Sequence, residues 1–262
     1  MQRIFLAVSV FLVLTLTAAA DEWKKDYTIS AKPEVHLSTG DGSVEFTTWE
    51  RKQVSVAVYT EGWQINSDGV RIEEHQTGDH VDVEIHTPHN GWFCLFCNRS
   101  LHVSVTLPQN ADLDLHTGDG SIKGSRVHGT IYLNTGDGSI HVEDADGQLS
   151  AHSGDGGIQV DGRFDELKIE TGDGGIRAGI NRGSKMHSPW HLHSGDGSID
   201  LRLPEDLAAD LDAHTGDGSI QCDLSPLSDT DVHRNSLRGK LNGGGPLLEL
   251  RSGDGSIHLG KN

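Results

Sequence analysis

Short runs of alternating apolar and polar residues cover much of the chain, and they predict β-strands. Gln53–Tyr59 and Leu101–Leu107 alternate with the period of two that sends successive side chains to opposite faces of a strand. Val81–Ile85 alternates in the same way, and with Val70–Ile72 it flanks Gln76–Asp79, whose Gly-Asp pair is typical of a hairpin turn. No segment shows the 3.6-residue period of an amphipathic helix. The pattern therefore predicts an all-β protein.

A second pattern is a short motif, [Ser/Thr]-Gly-Asp-Gly-[Ser/Gly]-[Ile/Val], which occurs eight times. Four consecutive copies, from Asp119 to Asp173, are 18 residues apart, and a fixed period of this kind indicates a repeat architecture. The motif aspartates are Asp41, Asp119, Asp137, Asp155, Asp173, Asp196, Asp217 and Asp254.

The alternation changes its phase across the motif. In the copy around Asp137, the apolar residues before it are Ile131 and Leu133, whereas those after it are Ile140 and Val142. A straight strand cannot move its apolar side chains from odd to even positions, because a period of two fixes the face of every residue. The chain must therefore turn a corner at Gly-Asp-Gly, and Asp144–Gly147 provides the second corner of each period.

Stacking such periods gives a parallel β-helix, or β-solenoid, with rungs of about 18 residues that lie about 4.8 Å apart. We expect residues 109–262 to form the regular repeat region, with the last copy, Leu248–Leu259, capping the stack at its C-terminal end. Residues 21–108 are expected to form an N-terminal β region that holds the first rung and longer hairpin-like excursions. The polar segments Asn181–Pro189 and Ser225–Gly245 are expected to be loops.

Residues 1–20 have the features of a secretory signal peptide. Met1–Arg3 is a short positive segment, Ile4–Leu16 is apolar, and Ala18–Ala20 supplies a small-residue cleavage site. An uncleaved membrane anchor is the alternative, but the apolar run is shorter than the roughly 20 residues that span a bilayer. We expect an exported product without a transmembrane segment after cleavage, located in the periplasm, at the cell surface or outside the cell.

The overall charge narrows the range of partners. The chain has a formal net charge of −18 and no basic cluster, whereas proteins that bind nucleic acid present a basic face to the phosphates. Nucleic acid is therefore not an expected partner.

The G-D-G-S-I repeats, the L-P-x-x-A-D-L-D lead-in and the closing G-G-G-P-L-L-E-L-R-S-G-D-G-S-I-H-L resemble the bacterial putative-adhesin domain families. The resemblance covers roughly Pro33 to Leu259. Those families are exported β-solenoid proteins, so the resemblance implies a role in the cell envelope or at the cell surface. It implies no catalytic residues.

The motif aspartates have two interpretations. Asp at a tight bend accepts hydrogen bonds from nearby backbone and tolerates unusual dihedral angles, which makes all eight structural bend residues. Stacked carboxylates would also give a weak calcium site, as in a calcium-stabilised β-roll, but one carboxylate per rung is few for an ion that takes six to eight oxygens. We favour the structural role.

The histidines and cysteines are the remaining candidates for chemistry. His116, His152, His193 and His214 share one repeat position, so they form either an outward polar ladder, which we favour, or a zinc or copper site. Cys94 and Cys97 are spaced for a disulfide in an exported protein. With His89 and His102, they would alternatively form a closed zinc site.

These observations favour a non-enzymatic envelope or surface module, adhesin-like or structural, whose partner is a protein, a glycan or a second copy of itself. We assign no catalytic, cofactor-binding or metal-binding residues and expect no cofactor beyond weak calcium. A carbohydrate-active β-helix enzyme is the first alternative, and a groove with two converging carboxylates would favour it. A calcium-stabilised β-roll is the second.

Overall fold

The computed structural model describes residues 20–88 and 99–262, and the described residues form 21 strands and no helix. No helix in them is therefore long and apolar enough to cross a membrane. The signal peptide prediction falls on residues outside this range, apart from Ala20. The strands before the regular repeats are β1 (Ala20–Thr28), β2 (Glu34–Thr39), β3 (Ser43–Trp49), β4 (Gln53–Glu61), β5 (Arg71–Thr77), β6 (His80–His86) and β7 (Ser100–Pro108).

The strands of the repeat region follow in chain order. They are β8 (Asp112–Thr117), β9 (Ile122–Ser125), β10 (His128–Thr135), β11 (Ile140–Ser153), β12 (Ile158–Thr171), β13 (Ile176–Ile180), β14 (Trp190–Ser194), β15 (Ile199–Leu203), β16 (Ala209–Thr215), β17 (Ile220–Cys222), β18 (Leu227–Val232), β19 (Ser236–Leu241), β20 (Leu247–Ser252) and β21 (Ile257–Lys261).

The strands form two stacked faces joined at the Gly-Asp-Gly corners. Face A contains the strands that lead into the corners, with antiparallel strands added at its two ends, in the order β5-β6-β2-β8-β10-β11-β12-β14-β20-β16-β19-β18. Face B contains the strands that leave the corners, preceded by β1, β4 and β7, in the order β1-β4-β7-β3-β9-β11-β12-β13-β15-β21-β17. The long strands β11 and β12 bend at the second corner and so contribute to both faces. The predictions of an all-β chain and of a β-solenoid are confirmed.

The core lies between the two faces and is built from columns of identical positions. Ile131 and Leu133 point inward from face A, and Ile140 and Val142 point inward from face B; each is at most 2 % exposed. The same positions are buried in the neighbouring rungs, because parallel in-register pairing stacks each residue on its copy one rung away. The change of phase in the sequence is therefore the turn from one face to the other.

The prediction that Leu248–Leu259 caps the stack is wrong. On face A, β20 pairs with β14 on one side and β16 on the other, and on face B β21 lies between β15 and β17. The last rung in the sequence is thus inserted between two earlier rungs. In this position the rung pairs with two strands on each face, whereas a rung at the end of the stack would pair with one strand on each face.

A rung is also inserted between two others near the N-terminal end of the stack. The first rung in the sequence, β2 with β3, lies between the rung of β6 and β7 and the rung of β8 and β9. The chain therefore skips a rung when it passes from β7 to β8 and again from β15 to β16. Both passages contain the Leu-Pro units of the sequence, at Leu107-Pro108 and Leu203-Pro204.

Antiparallel strands close both ends of the stack. The predicted hairpin is confirmed, since β5 and β6 pair around Gly78-Asp79, and β1 and β4 extend face B. Asn181–Pro189 is a loop, as predicted, but the loop prediction for Ser225–Gly245 is wrong because it contains β18 and β19. These two strands lie against β16, where they cover the last face A strand of the stack.

Candidate functional site

The Gly-Asp-Gly corners stack into one continuous column. In spatial order their aspartates are Asp41, Asp119, Asp137, Asp155, Asp173, Asp196, Asp254 and Asp217. In five corners the first glycine donates its N–H to the carbonyl of the equivalent glycine one rung away, as from Gly136 to Gly118 at 2.6 Å. A Cβ on the second glycine, Gly138, would lie 2.1 Å from the carbonyl oxygen of Gly120. The glycines are thus required by the close approach of neighbouring rungs.

Sequence reasoning missed the residue that fastens each corner, which is the Ser or Thr before it. All eight of these side chains are buried, with at most 5 % exposed. In seven copies the hydroxyl donates to the carbonyl of a corner glycine in the adjacent rung, as from Thr135 to Gly120 at 2.7 Å, and in the first copy Thr39 donates to Asp41 instead. The Thr135 hydroxyl also accepts the N–H of Gly138 at 3.2 Å. The sequence did contain a sign of this role, because only Ser and Thr occupy the position before Gly-Asp-Gly in all eight copies.

The motif aspartates lie at the bends, with their side chains outward. Seven of the eight residues are exposed, and Asp41 is partly buried. Among the described residues, only the Asp41 carboxylate accepts a side-chain hydrogen bond, from Thr87 at 3.1 Å, and no corner carboxylate accepts the backbone bond of an Asx turn. The buried hydroxyl fills that role instead. None of the described groups of three candidate metal ligands includes a corner aspartate.

The histidine column is interrupted in the structure. On face A, Asn134 lies between His116 and His152, and Glu170 lies between His152 and His193. The inserted rung places Arg251 between His193 and His214. No two histidines of this column are neighbours, so it does not bring imidazoles together as a metal site.

A different cluster does bring histidines together. His36 on β2 and His116 on β8 lie on either side of Asp114, with His36 Nδ1 3.1 Å from Asp114 Oδ2 and His116 Nε2 2.7 Å from Asp114 Oδ1. The three side chains are partly buried, and their ligand atoms all lie within 4.8 Å of one another. Sequence reasoning missed the cluster, since His36 and Asp114 are 78 residues apart and become neighbours only because β2 is inserted beside β8.

Face B carries an open groove of about 550 Å³ over strands β11, β12, β13, β15 and β21. Its polar lining side chains are the hydroxyls of Ser139, Ser198 and Ser256, the imidazoles of His141 and His258, the amide of Gln159, the guanidinium of Arg177 and the carboxylate of Asp200. A smaller continuation of about 180 Å³ runs past Asp161 and Arg202. The groove therefore offers both donors and acceptors along an extended surface.

Two glycines form the floor of this groove. Gly157 and Gly175 occupy the position that serine holds in the other six copies of the motif. A Cβ at either residue would be 3.3 Å from the nearest atom, and neither has a positive φ. Gly138, by contrast, cannot accept a Cβ. A Cβ at Gly157 or Gly175 would require the facing backbone oxygen to move by only a few tenths of an ångström, so the fold does not require glycine there as it does at Gly138.

Cys94 and Cys97, with the disulfide and zinc alternatives that involve them, lie outside the described residues. Cys222 is a partly buried free thiol, and burial raises its pKa. A high thiol pKa lowers the thiolate fraction, which makes Cys222 a poor nucleophile.

A family model described as Toastrack DUF4097 matches residues 33–259, and no match was found among curated proteins. A solved structure described as a putative cell adhesion protein, from Clostridium sporogenes ATCC 15579, is 15 % identical with a TM-score of 0.46; the alignment covers 93 % of this chain and 100 % of that one.

Two further solved structures align over similar lengths. A putative adhesin from Bacteroides fragilis NCTC 9343 is 10 % identical with a TM-score of 0.40, and the alignment covers 91 % of this chain and 97 % of that one. A protein described as a putative lipid binding protein, from Parabacteroides distasonis ATCC 8503, is 14 % identical with a TM-score of 0.41, covering 91 % and 96 %.

Proposed function

The chain belongs to the Toastrack DUF4097 family, and from this premise we propose that it is an exported, non-enzymatic envelope module that binds a glycan in the groove on face B. The glycine floor is the observation that carries the proposal. The repeat has serine at this position in its other six copies, and a shift of a few tenths of an ångström in the facing backbone oxygen would accommodate it here. An opening that the fold does not require is best explained by a ligand.

The chemistry of the lining fits a hydroxyl-rich ligand. Sugar hydroxyls both donate and accept hydrogen bonds, and the groove presents serine hydroxyls, the Gln159 amide and the Asp200 carboxylate beside the Arg177 guanidinium. Asp200 Oδ1 lies 3.7 Å from both Arg202 Nε and His258 Nδ1 but has no hydrogen-bond partner among the described residues. The volume lies within the roughly 300–1,000 Å³ of small-molecule sites.

The arrangement favours binding over hydrolysis. Most glycoside hydrolases place two carboxyl groups across the scissile bond, whereas the described residues that line the main groove include one, Asp200. Asp161 lies in the smaller continuation, where its carboxylate covers Gly179. Both aspartates are partly exposed, unlike the enclosed apolar site that prepares a carboxyl group for acid catalysis.

A glycan-array screen with the mature chain, residues 21–262, tests the proposal. The Gly157→Ser/Gly175→Ser variant fills the groove with the side chain that other rungs carry, so we expect it to fold normally and to lose roughly tenfold or more in affinity for any retained glycan. Gly40→Ser is the matched control, since it makes the same chemical change at a position outside this groove.

The outcomes separate the alternatives. Equal binding by the double-serine variant would show that the groove is not the site. Release of reducing ends from a bound glycan would favour the carbohydrate-active enzyme instead. Retention of no glycan, together with concentration-dependent dimers in sedimentation, would favour self-association.

A further inference from the structure

Acidic and imidazole side chains alternate across four strands at the N-terminal end of face A. In register they are His75 on β5, Asp82 on β6, His36 on β2 and Asp114 on β8. His116 follows Asp114 by two residues, so it points from the same face, and its ring lies 5.7 Å from that of His36. Two imidazoles thus converge on one carboxylate.

The same three positions recur near the other end of face A with one difference. His191 corresponds to His36, Glu249 to Asp114 and Arg251 to His116, since β14 and β20 pair as β2 and β8 do. There His191 Nδ1 is 2.8 Å from Glu249 Oε2, and Arg251 Nη2 is 2.9 Å from Glu249 Oε1. Arginine gives that carboxylate a permanent cation, whereas His116 gives Asp114 a ring nitrogen that can instead act as a metal ligand.

A second carboxylate adds to the negative charge near the imidazoles. Asp82 pairs in register with His36 on the side opposite Asp114. Its Oδ1 is buried and has no hydrogen-bond partner among the described residues. A buried carboxylate oxygen without a partner is costly, and a nearby cation would lower that cost.

We propose that His36, Asp114 and His116 bind a divalent transition metal ion of the zinc class. Two imidazoles and one carboxylate form a donor set that zinc uses in proteins, with bonds of about 2.0–2.2 Å and one position left for water. Calcium and magnesium are disfavoured because they take oxygen ligands. The three ligand atoms already lie within 4.8 Å of one another, so small side-chain movements suffice.

The ion would connect parts of the chain that are distant in sequence. His36 belongs to the inserted rung, and Asp114 and His116 belong to the rung beside it. Metal binding would therefore hold β2 against β8 and stabilise the N-terminal end of the stack. This role is independent of the groove on face B, so either proposal can fail without the other.

Calorimetric titration of the untagged, chelator-treated mature chain with ZnCl₂ tests the site. We expect one ion bound per chain at these three ligands and a melting temperature raised by roughly 5 °C at a zinc concentration about 100 times Kd. His36→Ala and His116→Arg should each weaken binding at least tenfold. His116→Arg reproduces the residue that the chain itself uses at Arg251, so its metal-free stability should stay close to that of the parent chain. His191→Ala is the matched control and should bind as the parent does.

Cobalt(II) distinguishes this site from one that involves Cys94 and Cys97. Cobalt held by nitrogen and oxygen gives visible d–d bands without the near-ultraviolet charge-transfer band that thiolate ligands produce. Absence of binding, a thiolate spectrum for the first equivalent, unchanged affinity in both His36→Ala and His116→Arg, or an equal loss in His191→Ala would each overturn the proposal.

Discussion

The buried hydroxyl beside each corner is the residue-level feature on which the stack depends. Thr135 satisfies two backbone groups of the tightly packed corner column, the carbonyl of Gly120 and the N–H of Gly138. Water cannot replace it, because its side chain is fully enclosed. Thr135 is thus part of the core, although its side chain is small and polar.

Thr135→Val keeps the shape of the side chain and removes both hydrogen bonds. We expect a loss of about 2–3 kcal/mol in the free energy of unfolding, because two buried backbone groups lose their partner. Urea denaturation followed by circular dichroism measures it. Ser139→Ala at the same corner is the control: Ser139 is exposed, and among the described residues its hydroxyl bonds only the Ser121 hydroxyl, so the change should be within about 0.5 kcal/mol. Equal effects of the two substitutions would contradict this role.

Gly138→Ala tests the close approach of the rungs. The added Cβ would lie 2.1 Å from the Gly120 carbonyl oxygen, so neighbouring rungs must separate, at a cost of about 3 kcal/mol or more. Gly157→Ala adds the same methyl group 3.3 Å from its nearest neighbour and should cost less than about 1 kcal/mol. Thermal melts measure the melting temperature of both variants, and we expect it to be lower for Gly138→Ala. Similar melting temperatures would argue against close packing as the reason for glycine at this position.

At the scale of elements, charged side chains join the closing strands to the stack. Asp212 on β16 pairs with Arg251 on β20 at 3.0 Å and with Arg238 on β19 at 3.2 Å. Burial by itself would raise the pKa of Asp212, but the two guanidinium groups outweigh it and hold that pKa below its ordinary value. The three strands are therefore linked through one carboxylate.

Asp212→Asn should destabilise the protein in a pH-dependent way. A folded-state pKa below the unfolded value, about 3.9 for Asp, stabilises the fold above that pH, and the contribution is lost as the pH falls through the folded value. We expect a cost of about 1–2 kcal/mol at pH 7 that shrinks towards zero under acid conditions. Urea denaturation across this range measures it.

Asp217→Asn is the control for that experiment. Asp217 lies on the same rung, but its residue is exposed at a corner, so its substitution should have little effect at either pH. A penalty for Asp212→Asn that persisted in acid would show that shape, and not charge, is what matters at this position.

At the scale of the whole molecule, both ends of the stack are built by inserting a rung between two others. The rung of β2 and β3 and the rung of β20 and β21 are each paired on both sides. The edge strands β17 and β5 are poorly suited to pairing with another chain. β17 has three residues, and every residue of β5 except Ile72 is exposed. Short or charged edge strands limit edge-to-edge association.

Removal of residues 246–262 should therefore disrupt the stack from within. Without β20 and β21, β14 and β16 lose their shared partner and Trp190 loses its cross-strand neighbour Leu248. Hydrogen exchange should show lost protection throughout β14–β19. Removal of residues 21–31 takes away an edge strand, since β1 pairs only with β4 among the described strands, and should keep the central rungs protected. Preserved protection of β16 in the C-terminal truncation would contradict the prediction.

The local structure can be predicted from the sequence alone. The period of two, the change of phase at Gly-Asp-Gly and the 18-residue spacing specify strands, corners and rungs, because each depends on neighbouring residues and on a repeat that is visible in one dimension. The all-β solenoid and its family follow from these patterns. The Ser or Thr before each Gly-Asp-Gly is also visible in the sequence, but its role depends on a hydrogen bond to a carbonyl in another rung.

The order of the rungs, and the side chains that this order places together, are visible only in the three-dimensional fold. Nearly identical repeats fit beside one another in many orders, so the sequence does not reveal that the first and last rungs are inserted between others. That order places His36 beside Asp114 and Arg251 between His193 and His214. The groove likewise arises because Gly157 and Gly175 are neighbours across β12 and β13. Sites of this kind depend on contacts between rungs, and those contacts are fixed by which strand pairs with which.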